Sequence, residues 1–206
     1  MPRPEPHILG LPGGIDLLLQ AGPFGDVRDV ITAAPNWGGH GYATSDIFTV
    51  RHQLIRELDP QPESVFEFGA LFGYFLLAAV NAAPSIKRVG WVDVELDVPE
   101  SNRFCAENLA DYCEKHDREL AVFYETQTRR CLEFGGADLV QVDGAHSYPD
   151  CLTDLVWALE LAPRTVFVDD YAVIDGVRRA TDEFAAWHGV QVEYHETVNG
   201  LAVLRF

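Results

Sequence analysis

The sequence predicts a single α/β domain whose sheet is mostly parallel. Its 206 residues are 48% hydrophobic, which is enough for one domain with a real core but short for two. From Val65 onward, short apolar runs alternate with amphipathic stretches, as in strands joined by crossover helices. The last two apolar runs are joined by Asn199-Gly200, a pair that favours a hairpin turn. The sheet is therefore expected to finish with an antiparallel pair.

The first sixty residues differ in composition from the rest. Proline and glycine interrupt them so often that only short helices among turns are expected. We interpret residues 1–60 as an N-terminal helical and loop arm that acts as a lid of the same domain, and residues 61–206 as its core. One helix is predicted from Ser45 to a point before Pro60, because apolar residues recur there at spacings of three and four.

The core elements follow from the hydrophobic pattern. Apolar runs predict five strands of the parallel part at residues 64–68, 88–94, 120–124, 138–142 and 165–168. Between them, apolar residues recur on one face of four predicted helices, at residues 74–82, 100–116, 150–161 and 176–187. The terminal hairpin is predicted to consist of strands at residues 190–196 and 201–206.

Composition argues against several partners and locations. A formal net charge of −17 makes a nucleic-acid partner a poor expectation. The apolar runs are far shorter than the ~20 residues of a membrane helix, and the N-terminus shows no secretory signal, so we expect a cytoplasmic protein with no membrane partner. The four cysteines show no CxxC spacing, which favours reduced thiols over disulfides or zinc. The oligomeric state stays open, and a homo-oligomer is one possibility.

A glycine-bearing turn follows the first core strand and opens the next helix. It contains Glu67, Gly69 and Gly73 in the spacing E-x-G-x-x-x-G, which differs from the G-x-G-x-x-G of dinucleotide binders. α/β proteins place ligands at this end of a strand. Because Glu67 would repel a pyrophosphate and attract an ammonium group, the turn predicts a ligand with a cationic end. The alternative is a plain strand-to-helix turn whose glycines permit close packing.

The second core strand ends in acids. A carboxylate at this position can accept hydrogen bonds from both ribose hydroxyls of a nucleoside. Asp93 is our first choice for that role, and Glu95 is the fallback. The alternative is that both acids are simply solvated at a strand end.

Two acidic segments follow the fourth and fifth core strands. Neighbouring strands lie about 4.8 Å apart, so carboxylates at the ends of two adjacent strands can converge, and three converging carboxylates require a cation. The candidate ligands are Asp143, Asp169 and Asp170. Oxygen ligands of this kind suit Mg²⁺, or else Mn²⁺ or Ca²⁺. Because successive strand residues face opposite sides, Asp169 and Asp170 can both serve only if the chain has already left the strand; otherwise one of them caps the following turn.

His146 lies three residues after Asp143. An imidazole with an ordinary pKa of ~6.5 suits a general base near neutrality. His146 is therefore the candidate base for a hydroxyl held on the metal. The alternative is an ordinary loop histidine that makes local hydrogen bonds.

With these residues in order, the sequence resembles the class I S-adenosylmethionine-dependent methyltransferases, over roughly residues 44–206. Three segments resemble the metal-dependent O-methyltransferase branch: DGAHSY from Asp143, VDDY from Val168 and GVRRATDEF from Gly176. That branch includes macrocin O-methyltransferase and the proteins called cephalosporin hydroxylases. The catechol O-methyltransferases are more distant relatives.

The resemblance implies a Rossmann-like sheet of seven strands in the order 3-2-1-4-5-7-6, with the last strand antiparallel. It implies that S-adenosylmethionine lies over the first two strands and contacts Glu67, Gly69, Gly73, Asp93, Gln127, Thr128 and Asp143. In this arrangement the ribose meets Asp93 and the adenine meets the Gln127-Thr128 segment. The implied metal ligands are Asp143, Asp169 and Asp170, and the implied base is His146.

The activity implied by the resemblance is metal-assisted O-methylation of a small molecule, such as a sugar or a phenolic natural product. The aromatic residues of the arm, Trp37, Tyr42 and Phe48, either cover the site or pack against the sheet. A methyltransferase-fold binding or scaffold protein without turnover is the main alternative, because Leu71 and Phe72 are bulky for a cofactor loop. An NAD-linked oxidoreductase is a third, against which the absence of G-x-G-x-x-G counts.

Overall fold

The structure, a computed structural model, describes residues 8–9, 43–44, 50–94 and 101–206. Two short strands, β1 (Ile8–Leu9) and β2 (Ala43–Thr44), pair in parallel and were not predicted from the sequence. Helix α1 (His52–Arg56) falls within the helix predicted to start at Ser45. Residues 45–49 lie outside the described residues, as do Glu95 and the arm aromatics Trp37, Tyr42 and Phe48.

Seven strands form the main sheet: β3 (Ser64–Phe68), β4 (Arg88–Val92), β5 (Ala121–Glu125), β6 (Leu139–Val142), β7 (Thr165–Val168), β8 (Val192–His195) and β9 (Leu201–Arg205). Their order is β5-β4-β3-β6-β7-β9-β8, which is 3-2-1-4-5-7-6 when the seven are counted along the chain. Strand β9 runs antiparallel to both β7 and β8, and the other pairs are parallel. The predicted fold class, strand order and terminal antiparallel pair are confirmed.

Four helices connect these strands: α2 (Tyr74–Ala82), α3 (Ser101–Lys115), α4 (Tyr148–Glu160) and α5 (Asp175–His188). Each begins and ends within about two residues of its predicted bounds. The 3₁₀ helix Thr128–Phe134, which follows β5, was not predicted from the sequence. Helix α4 begins at Tyr148 because Ser147 caps it, accepting a hydrogen bond from the amide of Asp150.

Alternate strand residues divide the core into two layers. Val65, Leu139 and Phe167 pack with α1, α2 and α3 on one face of the sheet. Their neighbours Phe66 and Val140 pack with α4, α5 and the 3₁₀ helix on the other face. Since side chains alternate along a strand, this pattern also fixes which face the polar residues at the strand ends meet.

The four cysteines, Cys105, Cys113, Cys131 and Cys151, are free thiols, as predicted. Burial raises the pKa of Cys131 to about 11 and that of Cys151 to about 12, so both thiols stay protonated near neutrality. Within the described ranges, no helix has the length and apolar character needed to cross a bilayer.

Candidate active site

Three neighbouring strands end at the same level, and this alignment builds the candidate site. Phe68 in β3 is paired with Val142 in β6, which is paired in turn with Val168 in β7. The ladder continues for one more residue. The amide of Asp143 donates to the carbonyl of Phe68 at 2.9 Å, and the amide of Asp169 donates to that of Val142 at 3.1 Å. The residues after the strands therefore lie side by side at the carboxyl edge, where α/β proteins bind ligands.

The glycine turn after β3 is required by close packing. Gly69 has a φ of +83°, and a Cβ atom there would lie 2.2 Å from the carbonyl oxygen of Asp143. Gly73 has a φ of +74°, and its Cβ would lie 2.5 Å from the sulfur of Cys105 in α3. Packing alone explains both glycines, and their contact with a cofactor stays a prediction.

Glu67 is a buried carboxylate at the end of β3, with 2% of its surface exposed. Its Oε1 accepts a hydrogen bond from Gln141 Nε2 at 2.9 Å, and its Oε2 is buried with no hydrogen-bond partner in the described part of the chain. Burial, followed by repulsion from Asp143, raises the pKa of Glu67 well above its ordinary value. An ammonium group would supply both the missing donor and a compensating charge, which fits the predicted cationic ligand.

Asp93 lies at the end of β4, as predicted, and anchors the glycine turn that follows β3. Its Oδ2 accepts a hydrogen bond from the amide of Leu71 at 2.8 Å. Its backbone carbonyl accepts one from Asn102 Nδ2 at 2.9 Å, and Asn102 is held in turn by Trp91 Nε1 at 2.8 Å. Leu71 has a φ of +45°, so this carboxylate holds a left-handed turn in place. The contact of Asp93 with a ribose stays a prediction.

The bulky residue Phe72 serves the core. It is almost fully buried, and its ring lies 5.8 Å from that of Tyr74 and 6.0 Å from that of Phe104. Its carbonyl accepts a hydrogen bond from Asn108 Nδ2 at 2.8 Å, which ties the loop to α3. The size of Phe72 is therefore explained by packing between α2 and α3.

The loops after β6 and β7 bring two carboxylates and an imidazole together. Asp143, His146 and Asp170 each offer a ligand atom, and these atoms all lie within 4.8 Å of one another. His146 Nε2 is 3.0 Å from Asp170 Oδ2 and 3.9 Å from Asp143 Oδ1. Asp170 has a φ of +58°, so the chain has left the strand there. Such a donor set fits a divalent cation.

The electrostatics of this cluster follow from its burial. Burial and the neighbouring Asp169 raise the pKa of Asp143 to about 7. Burial and the same neighbour also raise the pKa of Asp170. The neighbouring carboxylate of Asp143, followed by the charge of Asp170, raises the pKa of His146 above its ordinary value. His146 and Arg51 compensate these carboxylates only in part, because their pKa values stay raised, and a bound cation would add the missing positive charge.

Asp169 has a different partner, which sequence reasoning missed. Its Oδ1 lies 2.5 Å from Nη2 of Arg51, a fully buried residue that directly precedes α1. The same oxygen accepts a hydrogen bond from the amide of Asp170 at 2.9 Å. Of the three predicted metal ligands, the structure therefore groups Asp143 and Asp170 with His146 and pairs Asp169 with an arginine. The sequence offered one indication of such a partner: converging acids require a positive charge close to them, and a buried arginine can supply it.

Gln127 and Thr128 lie at the carboxyl end of β5, next to the strand that carries Asp93. Gln127 is exposed and precedes the 3₁₀ helix, and its carbonyl accepts a hydrogen bond from the amide of Arg130 at 2.9 Å. Thr128 is the first, half-buried residue of that helix. Their position on the same sheet edge is the predicted one, and their contact with an adenine stays a prediction.

Comparison with known proteins found no matching family model and no matching curated protein. Solved structures do match. The O-methyltransferase TomG from Streptomyces achromogenes, involved in tomaymycin synthesis and solved with S-adenosylmethionine, is 19% identical, with 95% of this chain and 90% of that chain covered and a TM-score of 0.64. A candidate caffeoyl-CoA O-methyltransferase from Staphylococcus aureus is 15% identical, with 93% and 97% covered and a TM-score of 0.66.

An O-methyltransferase from Bacillus cereus, solved with S-adenosylhomocysteine, is 16% identical, with 96% of this chain and 93% of that chain covered and a TM-score of 0.60. At such identities the likeness concerns the fold. The chain thus has the fold of the O-methyltransferases that its sequence resembles, and the activity has to be argued from the site.

Proposed function

We propose that the protein is an S-adenosylmethionine-dependent O-methyltransferase that acts, with a divalent cation, on a hydroxyl group of a small molecule. One observation carries the proposal. Gln141 Nε2 donates to Glu67 Oε1 at 2.9 Å and lies 3.5 Å from Asp143 Oδ2. The amide of Gln141 therefore links Glu67, which suits a cationic ligand, to Asp143, which belongs to the cluster that suits a metal.

The donor half of the site consists of the glycine turn and the end of β4. S-Adenosylmethionine supplies the methyl group. The unpartnered Oε2 of Glu67 would accept a hydrogen bond from its ammonium group. Asp93 would accept from the ribose while its Oδ2 holds the loop through Leu71. Gln127 and Thr128 would contact the adenine, and Asp143 would lie between donor and acceptor.

The acceptor half consists of the loops after β6 and β7. Asp143 and Asp170 would hold the divalent cation, Mg²⁺ or Mn²⁺, which lowers the pKa of a coordinated hydroxyl when bound. The side chain of His146 is 47% exposed, so a substrate hydroxyl can reach it, and its imidazole would receive the proton. A sugar or a phenolic hydroxyl is the acceptor class we propose, which the likeness to a methyltransferase of tomaymycin synthesis supports.

Binding of the methyl donor is the first test of this function. We expect S-adenosylmethionine and S-adenosylhomocysteine to raise the melting temperature, because a ligand at 100 times its Kd stabilises the folded state by about 2.7 kcal/mol. NAD at the same concentration serves as the control. A shift with NAD alone would favour an oxidoreductase, and no shift with any of the three would refute the proposal. Donor binding without transfer to a panel of phenols and sugars, with Mg²⁺ or Mn²⁺ present, would favour the scaffold alternative.

The role of Asp93 gives a second prediction. Asp93→Ala should weaken S-adenosylmethionine binding by about tenfold or more, because it removes a ribose acceptor and the anchor of Leu71. Mn²⁺ affinity should stay within a few-fold. Asp138→Ala is the matched control, since that carboxylate holds the amides of Glu63 and Ser64 at the other end of the sheet. Calorimetry that finds unchanged donor affinity in Asp93→Ala would remove this residue from the site.

A further inference from the structure

We propose that Arg51 is a positioning residue of the active site, which holds Asp169 as its ion-pair partner and leaves Asp143 and Asp170 as the carboxylates that bind the cation. The inference rests on the metal binding of the proposed function and does not depend on the methyl acceptor. Of the two adjacent acids after β7, Asp169 then has a structural role and Asp170 binds the metal.

Strand alternation sets the orientation of Asp169. Phe167 packs in the core layer formed with α1, α2 and α3, and Asp169 comes two residues later, so its side chain points to the same face. Arg51 directly precedes α1 in that layer and meets the carboxylate at 2.5 Å. Asp170 follows with a φ of +58°, which turns its side chain away toward His146.

Burial keeps Asp169 with Arg51. Arg51 is fully buried, and its charge is permanent because a guanidinium is not deprotonated in proteins. Removing one partner of a buried ion pair leaves an uncompensated charge, which is strongly unfavourable. Asp169 Oδ1 is already engaged by Arg51 and by the amide of Asp170, whereas within the described residues the ion-pair partner of Asp143 and Asp170 is His146.

The Asp169 carboxylate also positions its neighbour. Its Oδ1 accepts the amide hydrogen of Asp170 at 2.9 Å, so the ion pair and the turn that presents Asp170 share one oxygen. Arg51 acts on the reaction through this oxygen.

The adjacent acids provide a matched pair of variants for calorimetry with Mn²⁺ alone. Asp169→Asn keeps an acceptor for Arg51 and for the Asp170 amide, and should leave Mn²⁺ affinity within about fivefold of the wild type. Asp170→Asn replaces a charged ligand with a neutral amide oxygen and should lower it by about fiftyfold. Equal losses in the two variants would make Asp169 a ligand and overturn the proposal.

Arg51→Gln tests the same assignment from the other side. Removing the positive charge of Arg51, which repels a bound cation, should raise Mn²⁺ affinity by about tenfold, whereas a purely structural role predicts no increase. Arg164→Gln is the control, since Arg164 pairs with Asp138 at 3.3 Å at the opposite end of the sheet, and it should leave Mn²⁺ affinity unchanged. If Arg51→Gln does not fold, the comparison of the two adjacent acids decides.

Two further results complete the test. Absence of Mn²⁺ binding in the wild type together with tight binding in Arg51→Gln would support the role of Arg51. Absence of binding in both would overturn it. Donor binding is measured separately with S-adenosylmethionine. If the protein binds the donor but these Mn²⁺ results contradict the expectation, the assignment of Arg51 is wrong and the methyltransferase proposal still stands.

Discussion

Asp143→Ala is expected to reduce methyl transfer by about three orders of magnitude or more, while S-adenosylmethionine affinity changes only a few-fold. The variant removes one of two carboxylates that would hold the cation, and also the neighbour that does most to raise the pKa of His146. Turnover should be measured with saturating Mg²⁺ or Mn²⁺, and donor affinity by calorimetry. The two readouts together separate loss of chemistry from loss of the fold.

Asp154→Ala provides a matched control for this variant. Burial raises the pKa of Asp154 to about 7, as it does that of Asp143, and its Oδ2 lies against Gly144 of the same loop. Asp154 is not in the cluster with His146 and Asp170, so its loss should leave turnover within a few-fold. Wild-type transfer that continues undiminished in excess chelator would contradict the role assigned to the metal.

The centre of the sheet was predictable because β3, β6 and β7 are buried on both faces. Such strands are nearly continuous apolar runs, so β3, β6 and β7 could be located within about one residue from hydrophobicity alone. The strand order came from the resemblance rather than from the pattern. The 3₁₀ helix after β5 was missed because its sequence, TRRCLEF, has too few turns to set up a helical period.

The residues of the candidate site that lie at strand ends could be predicted from the sequence. The contact between residues far apart in the chain could not. Asp143 and Asp170 converge because β6 and β7 are neighbours in register. The alternation of side-chain direction along β7 allows either Asp169 or Asp170 to face the metal, and it does not determine which of them does. The choice depends on Arg51, more than a hundred residues earlier in the chain, and no local spacing links that residue to Asp169.

Gly69→Ala is expected to be the most destabilising single-methyl change in the site and to abolish donor binding. The new Cβ atom would lie 2.2 Å from the carbonyl oxygen of Asp143 and 2.7 Å from the Cα atom of Gly144, both of them backbone atoms that no side-chain rotation can move. Gly69 also has a φ of +83°, which costs a residue with a side chain about 1–2 kcal/mol. The strand ends of β3 and β6 would have to separate, and the distance between Glu67 and Asp143 would change with them.

Gly189→Ala isolates the steric part of this effect. Gly189 ends α5 with a φ of +66°, and a Cβ atom there would meet nothing within 4 Å, so only the backbone conformation is penalised. Chemical denaturation should therefore give a loss about 1–3 kcal/mol larger for Gly69→Ala than for Gly189→Ala, because forced overpacking adds to the common conformational cost. Equal losses, with donor affinity retained in Gly69→Ala, would mean that β3 and β6 do not approach each other at the turn. The link between the donor and acceptor halves through Gln141 would then lose its structural basis.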